Sequence, residues 1–240
     1  MLWIKFIMSC WLSASVISDQ QTNVKNVHDG SSSVNSGVST GNNSGIEKSS
    51  GKTVAVTHSL APFAALAFDG AFDVEVQRGT NYRVTVSGDK AIVENVTINV
   101  SNEKLSVVLK KNYVMETAIK LIIELPELRR LDFSGAGNIV INDVAGENLE
   151  VFAEKASGDV TISGKAKNLK LKINCSVTVD AGKLIVQNAE VDAQGASTVT
   201  VNVQNSLNAK AAGAATVRYC GTPKELKEQT SGAGSLENIK

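Results

Sequence analysis

The stretch Ser134-Gly135-Ala136-Gly137-Asn138-Ile139-Val140-Ile141 decides the fold, because shortened copies of it recur through the second half of the chain. Each copy joins a corner of small residues to a short strand in which apolar and polar residues alternate. The copies occupy residues 156–162, 175–179, 195–201, 213–219 and 231–236. Their equivalent apolar residues are spaced by 21, 17, 22, 18 and 19 positions: Ile139, Val160, Val177, Val199, Val217 and Leu236. Such a spacing is typical of a solenoid.

A second strand lies between successive copies, at residues 149–151, 169–173, 189–193 and 207–211. Two strands per repeat, separated by a corner of Gly, Ala and Ser, describe one coil of a β-helix in which each strand pairs with its equivalent in the next coil. The sequence therefore predicts an all-β protein whose residues 131–240 form a right-handed, parallel β-helix-like solenoid of about six coils.

Charge provides a check on this register. In a parallel stack, equivalent outward side chains lie ~4.8 Å apart. One outward column then contains Glu150, Lys170, Glu190 and Asn208, and the next contains Phe152, Lys172, Asp192 and Lys210. Opposite charges alternate and like charges never stack, which favours the register.

The other strand of each repeat presents small polar side chains. We expect its outward column to contain Val140, Thr161, Thr178, Thr200 and Arg218, followed beyond the strands by Asn142, Ser163, Asp180, Asn202 and Cys220. This flat, uncharged face is a candidate binding surface for a glycan or a partner protein, with six candidate residues: Thr161, Thr178, Thr200, Asn142, Asp180 and Asn202. The same residues are also explained, and more simply, as good strand formers that face water.

Residues 53–130 show short alternating runs broken by tight turns, which predict a strand-rich N-terminal β region. One helical turn is expected after Asp89, and Pro126 should close the region. We expect this region to cap one end of the solenoid. The opposite end, residues 236–240, carries charges that would discourage the addition of another strand.

The beginning of the chain predicts export. Residues 1–18 resemble a secretory signal peptide, because Lys5 precedes a short apolar run that ends in small residues. Cys10 lies in a loose match to a lipobox, so lipidation stays open, and the apolar run is shorter than a membrane span requires. Residues 19–52 are rich in Ser, Asn and Gly without periodicity, which indicates a disordered tether or a leftover linker.

The sequence offers little catalytic or metal-binding chemistry. Only two histidines occur, His28 in the tether and His58 at the expected surface, so no metal triad or Ser-His-Asp set is predicted in the solenoid. Three carboxylates, Asp159, Asp180 and Asp192, are candidates for a polysaccharide-cleaving site, but they fall in different columns. We therefore predict neither enzyme activity nor a cofactor. Lys plus Arg and Asp plus Glu number 24 each, which argues against a nucleic-acid partner.

The two cysteines of the solenoid are expected to remain unpaired. The register places Cys175 before its strand and Cys220 after a strand two coils later, so that their Cα atoms are roughly 10 Å apart, beyond the ~7 Å limit for a disulfide. We predict two free, largely buried thiols.

Several motifs resemble a bacterial family of auto-transporter adhesins known as the head GIN domain family. The resemblance covers residues 54–239 and rests on Phe68-Asp69-Gly70, Val86-Ser87-Gly88-Asp89, Leu125-Pro126-Glu127-Leu128, Leu131-Asp132-Phe133-Ser134-Gly135-Ala136-Gly137, Tyr219-Cys220-Gly221-Thr222-Pro223 and Ser231-Gly232-Ala233-Gly234. It implies an exported β-helical protein without an established catalytic set, so no site residue is carried over. The middle repeats depart from the Ser-Gly-Ala-Gly corner at 174–176 and 213–215, where the residues nevertheless stay small.

These observations favour an exported binding or adhesion module of the cell envelope. It would lie at the cell surface, at the outer membrane or in the periplasm, with a glycan or an envelope or host surface protein as its partner. A structural envelope protein that forms homo-oligomers through a solenoid face is the alternative. A β-helix enzyme acting on polysaccharides is a third hypothesis, and two or more carboxylates converging in one groove would favour it.

Overall fold

The computed structural model describes residues 50–109 and 119–239. The predicted signal peptide, nearly all of the predicted tether, Cys10 and His28 lie outside the described residues. In the first part of the described chain, strands alternate with tight turns and one helical turn: β1 (Thr53–Ser59), β2 (Ala65–Arg78), β3 (Arg83–Asp89), α1 (Lys90–Val93), β4 (Val96–Ser101), β5 (Lys104–Leu109) and β6 (Ile119–Leu125).

The second part is almost entirely extended. It contains β7 (Arg130–Ala136), β8 (Ile139–Gly195), β9 (Thr198–Gly213), β10 (Thr216–Cys220), β11 (Glu225–Gly232) and β12 (Ser235–Asn238). The prediction of an all-β protein is confirmed in these residues. All twelve strands belong to one sheet, whose path runs from β1 to β12 without closing on itself.

The N-terminal strands pair in both directions. β1 and β3 are antiparallel, as are β3 and β6 and β4 and β5. The long strand β2 pairs in parallel with β5 and β7 through its first half, and with β6 and the start of β8 through its second half. Because β2 contacts both parts of the chain, it joins the N-terminal strands to the C-terminal stack.

Two local predictions in this region are confirmed. α1 follows Asp89, whose side chain accepts a hydrogen bond from Ala91 N at 2.9 Å, the usual geometry of a helix N-cap. Strand β6 ends at Leu125, directly before Pro126, which lacks the N–H that a ladder requires.

The C-terminal strands stack in parallel at intervals close to the repeat length. Thr216 of β10 pairs with Thr198 of β9 on one side and with Ser235 of β12 on the other. Side chains also meet across the stack, as in the Ser235 Oγ to Thr216 Oγ1 contact of 3.3 Å between residues 19 positions apart. Equivalent segments of successive repeats therefore lie beside one another.

One step of the predicted register is wrong. We expected Val177 to stand opposite Val199, but Thr178 pairs with Thr198, Val179 with Val199 and Asp180 with Thr200. The step between these strands is thus two residues shorter than predicted. Ser197, in the corner directly before β9, is 1% exposed, and its Oγ donates a hydrogen bond to Gln194 O at 3.1 Å.

The glycines of the deciding stretch are required by the close approach of neighbouring backbones. Gly135 and Gly137 have φ of +107° and +130°, and a Cβ on either would overlap the carbonyl oxygen of Gly70 or Phe72. Only glycine tolerates both the dihedral angle and the contact. These corners hold the β2, β7 and β8 segments at sheet spacing.

The interior is narrow and built from small aliphatic side chains in the C-terminal strands. Val199, Val201, Val203, Ala209 and Ala211 are fully buried there. Phenylalanines enter the core mainly around β2, where Phe68 and Phe72 are 2% and 1% exposed. The side chains that alternate with these buried residues point outward and form columns along the stack.

Candidate functional site

One outer surface, which we call the ladder face, is made by a single strand from each layer. It comprises β5, the first half of β2, β7, residues 149–153, 169–173, 189–193 and 207–211, and β11. An outward column crosses it, in which Lys104 lies beside Ala65, Ala65 beside Arg130, Arg130 beside Glu150, Glu190 beside Asn208, and Asn208 beside Lys227.

The predicted alternation of charge is confirmed on this face. Lys170 Nζ lies 3.1 Å from a carboxylate oxygen of Glu190. In the adjacent column, Asp192 pairs with Lys210 at 4.0 Å. Because these side chains are largely exposed, each pair contributes only about 0.2–1 kcal/mol to stability. Their larger consequence is that charges cancel within the face.

A row of asparagines runs beside the charged column, and the sequence reasoning missed it. Asn168 Nδ2 donates to Asn148 Oδ1 at 2.9 Å, and Asn188 Nδ2 donates to Asn168 Oδ1 at 2.9 Å. Asn205 Nδ2 continues the row by donating to Asn188 Oδ1 at 3.0 Å. The signal was available, because Asn148, Asn168 and Asn188 each precede the second strand of a repeat.

The asparagine row and the charged column enclose a groove of about 390 Å³, which we call the amide groove. Leu149, Leu169 and Ala189 lie between the two columns, and since their side chains are buried in the core, their backbone forms the floor. The wall on one side carries Asn148, Asn168 and Asn188, and the wall on the other carries Glu150, Lys170, Glu190 and Asn208. The groove follows the stacking direction, since the same sequence positions of successive layers line it.

A second groove of about 360 Å³, the Arg130 groove, adjoins it toward the N-terminal layers. The Arg130 guanidinium lies over the Phe152 ring at 4.1 Å from its centroid, a cation–π arrangement. Arg130 Nε also contacts Asp132 at 2.8 Å, and Arg130 Nη1 contacts Glu150 at 3.3 Å. These contacts hold the guanidinium in one orientation.

Three carboxylates, Asp69, Asp132 and Glu154, line the Arg130 groove. Both oxygens of Asp132 are engaged by cations, with Lys104 Nζ at 2.6 Å and Arg130 Nε at 2.8 Å. Asp69 Oδ1 accepts a hydrogen bond from Ser134 Oγ at 3.4 Å. Carboxylates thus do share a groove, and the two cations that hold Asp132 favour its ionised form and make it a weaker base.

The candidate binding residues predicted from sequence lie on the other strand of each repeat. Thr178 and Asp180 are exposed, whereas Thr161, Thr200, Asn142 and Asn202 are partly buried. The shift in register changes the column that contains Thr178. Its neighbour there is Thr198, followed by Thr216 and Ser235, while Thr200 lies beside Asp180 and Arg218. No ligand contact tests this face, so its binding role stays a prediction.

The carboxylates weighed for catalysis do not converge. Asp180 Oδ1 accepts a hydrogen bond from Gly182 N at 2.9 Å, and Asp192 contacts Gln194 and Lys210. Neither they nor Asp159 are among the residues that line the two grooves described above.

Both cysteines of the described chain are free, as predicted, but they are half-buried rather than largely buried. Cys175 Sγ lies 3.5 Å from Ala153 O, and Cys220 Sγ lies 3.5 Å from Val201 O. Burial raises the pKa of the Cys175 thiol, which keeps it protonated and a poor nucleophile near neutral pH.

His58 is not the simple surface residue that we expected. It lies on the half-buried side of β1, the side that also carries Val54 and Val56. Partial burial lowers the pKa of its imidazole. Among residues 50–109 and 119–239 no group of three or more His, Cys, Asp or Glu side chains is arranged to hold a metal ion. No helix within the same residues is long and apolar enough to cross a membrane.

The fold and surface define an all-β protein of stacked parallel strands whose outer side chains form polar ladders. The family model described as "Putative auto-transporter adhesin, head GIN domain" matches residues 62–223, and the chain belongs to this family. The resemblance drawn from the sequence motifs is thereby confirmed. Among the curated proteins, none matches the chain.

Comparison with solved structures gives one with a matching fold and others that are less similar. A crystal structure described as a "putative adhesin" from Bacteroides fragilis is similar with a TM-score of 0.67 and 20% identity, covering 80% of this chain and 100% of that one. A "putative adhesin" from Parabacteroides merdae has a TM-score of 0.46 and 17% identity over 82% and 100% of the two chains. A "putative lipid binding protein" from Parabacteroides distasonis has a TM-score of 0.46 and 17% identity over 81% and 99%.

Proposed function

We propose that the chain is an exported binding or adhesion module of the cell envelope that has no catalytic activity. The observation that carries this proposal is the pairing of membership in an adhesin-named family with a long, rigid surface of repeated polar columns. Such columns present the same chemical group at regular intervals over many layers, which suits an extended partner such as a glycan or an elongated surface protein.

The proposed architecture follows from the parallel pairings. Residues 131–240 would wind as a right-handed β-helix of about six coils, because parallel strands joined by short corners need a constant direction of turn. Residues 53–130 would form the N-terminal β region that covers one end. Residues 1–18 would serve as the signal peptide, and residues 19–52 as the tether that holds the folded part away from a membrane.

A binding role fits the chemistry of the grooves better than catalysis does. Asp132 in the Arg130 groove is held by two cations, and the amide groove is lined by amides and paired charges. Hydrolysis of a glycosidic bond requires one carboxyl group that gives up a proton and a second that acts as a base or nucleophile. The Arg130 groove does contain carboxyl groups, but Asp132 is paired with two cations and Asp69 accepts a hydrogen bond from Ser134, which supports a structural role for both.

The proposed location can be tested on cells that express the chain with a C-terminal tag. Protease added to intact cells should remove the tag if the folded part is at the surface, while a periplasmic marker protein stays intact. Purified protein should then bind envelope fractions or host surfaces in a pull-down. A tag that survives until the outer membrane is permeabilised, together with no recovered partner, would contradict surface adhesion.

Self-association through a solenoid face remains the structural alternative. The ladder face is one such face, because its columns carry charges of both signs, as in the Lys170–Glu190 and Lys210–Asp192 pairs. Sedimentation of the purified chain over a wide concentration range decides between the two. A strictly monomeric protein excludes the oligomeric role, and a concentration-dependent dimer or longer assembly supports it.

A further inference from the structure

The amide groove contains hydrogen-bonding capacity that the protein does not use. A side-chain amide has two N–H donors and two acceptor lone pairs. Asn168 uses one donor toward Asn148 and one acceptor position toward Asn188, and Asn188 does the same with Asn168 and Asn205. One N–H and one lone pair on each amide therefore stay available toward the groove, in the described part of the chain.

The available groups repeat with the stack. Neighbouring parallel strands lie ~4.8 Å apart, so equivalent amides present one donor and one acceptor at that interval. This interval is close to the length of one sugar unit in an extended β-1,4-linked chain, in which every unit carries hydroxyls that both donate and accept. A linear glycan aligned with the stack would thus meet the same amide group at each unit.

The charges of the opposite wall favour a neutral ligand. Lys170 is paired with Glu190 at 3.1 Å, and Glu150 is paired with Arg130 at 3.3 Å. No column of unpaired cations faces the groove to attract a polyanion, and the carboxylates are available only as additional acceptors for hydroxyl groups. The floor between the two walls is strand backbone, because the side chains of Leu149, Leu169 and Ala189 are buried in the core.

We infer that the amide groove binds an extended, neutral, β-1,4-linked polysaccharide that lies parallel to the stacking direction. This inference rests on the proposed binding function and names its ligand class and its site. Asn168 and Asn188 are the central contacts, and Asn148, Asn208 and Ser206 extend the site toward its ends. The site differs from the threonine-bearing face predicted from sequence.

The test is a titration of the chain with cellobiose and with cellohexaose. Binding is measured by isothermal titration calorimetry and by changes in the NMR chemical shifts of the side-chain amides. Cellohexaose should bind about tenfold more tightly than cellobiose, because it spans more layers and makes at least one further net hydrogen bond. Maltohexaose, which has the same sugar in a coiled chain, should bind no better than cellobiose. Polygalacturonate, a polyanion, should not bind.

Two matched variants locate the site. The Asn168→Ala/Asn188→Ala double variant should lose about tenfold in affinity for cellohexaose, since it removes the two central amides. Thr178→Ala/Thr198→Ala, on the other strand of each repeat, should bind as the unaltered chain does. Equal urea unfolding midpoints for the two variants would show that a lost fold is not the cause of lost binding.

The amide resonances of the unaltered chain provide a readout that does not depend on any variant. Shifts confined to the groove asparagines support the inference. No binding of cellohexaose at millimolar concentration, or shifts centred on Thr178 and Thr198, would overturn it. If cells still adhere through the chain when cellohexaose does not bind, only the glycan inference fails and the adhesion proposal stands.

Discussion

The two ends of the sheet are finished in different ways. At the N-terminal end, the outer strands β1 and β4 are antiparallel to their neighbours, and each turns apolar residues such as Val56 and Ile98 toward the core. At the C-terminal end, β11 and β12 stay parallel to the stack, and all eight residues of β11 are exposed. Antiparallel strands cover the N-terminal end, whereas at the C-terminal end the parallel strand β11 carries mostly polar and charged residues.

The change of composition is visible on β11. Leu226, Glu228 and Thr230 stand opposite the buried residues Leu207, Ala209 and Ala211 of β9. A carboxylate therefore takes an inward position that is apolar in the preceding layer, and its only described side-chain contact is with Tyr219 OH at 3.4 Å. Inward-pointing charge is a known means of protecting a strand edge. Another layer placed on this strand would have to bury that carboxylate.

The interiors of the two regions also differ. Around β2 the core contains Phe63, Phe68 and Phe72, and Phe63 packs edge-to-face against Tyr82 with ring centroids 5.4 Å apart. The C-terminal layers are filled with aliphatic side chains, Val and Ala together with Leu and Ile. Stability in the first region thus depends on a few large side chains, and in the second on many small ones.

Truncating one large side chain should have the greatest effect. Phe72→Ala should lower the free energy of unfolding by about 3–5 kcal/mol, because the ring is 1% exposed and leaves a cavity. Val201→Ala, fully buried in the C-terminal layers, should cost only about 1.5 kcal/mol, the transfer free energy of two methylene-sized groups. Urea unfolding measures both, and equal losses would contradict the contrast between the regions.

The corner that joins the regions should tolerate almost no added atom. Gly137→Ala should destabilise the chain by at least about 3 kcal/mol, since a Cβ there overlaps the Phe72 carbonyl and φ is +130°. Gly51→Ala is the control: its φ is +70°, nothing lies within 4 Å of a Cβ, and the cost should be about 1 kcal/mol. Thermal unfolding measures the melting temperatures of the two variants. Equal melting temperatures would contradict the prediction.

Replacing the inward carboxylate should open the protected end. Glu228→Val should make the chain self-associate, because the last layer then presents an apolar row that resembles the layer beneath it. Lys227→Val adds the same side chain on the outward side of the strand, over Asn208, and should leave the association state unchanged. Sedimentation velocity detects the difference. The same association state in both variants would show that Glu228 does not protect the edge of β11.

The smallest expected effect is the pH dependence of stability that His58 contributes in the N-terminal region. Partial burial lowers the pKa of His58, so the folded state favours the neutral imidazole. The stability that this contributes is present above the ordinary pKa of about 6.5 and is lost as the pH falls through the lower folded value. Urea unfolding at pH 7 and pH 5 should show a smaller loss on acidification for His58→Gln than for the unaltered chain. An identical loss would show that His58 is not responsible.

The error in register shows where sequence reasoning reaches its limit. A shift of one residue would turn every apolar side chain outward and is easily excluded, but a shift of two preserves the alternation. Val177 and Val179 therefore fit opposite Val199 equally well on pattern alone. The alternation cannot decide between them, and only the pairing of Val179 with Val199 in the packed sheet does.

The candidate grooves were predictable only in part. The charge columns through Glu150, Lys170 and Glu190 follow from the repeat, since ion pairing between layers is a local consequence of register. The asparagine row could have been found from its regular spacing. The Arg130 groove could not be predicted, because Ala67, Ser106 and Phe152 come from three distant segments of the chain. The sizes of these side chains shape a groove only when the fold brings the segments together.

The sequence by itself determined the all-strand character, the repeat length, the glycine corners, the break at Pro126 and the family. Each of these depends on local alternation, on dihedral angles that only certain residues adopt, or on motifs in the chain. Only the tertiary structure decided that β2 joins both regions, that Thr178 meets Thr198, that Glu228 points inward and that two grooves adjoin on one face. These features arise from contacts between residues far apart in the chain, and their geometry is set by packing rather than by local preference.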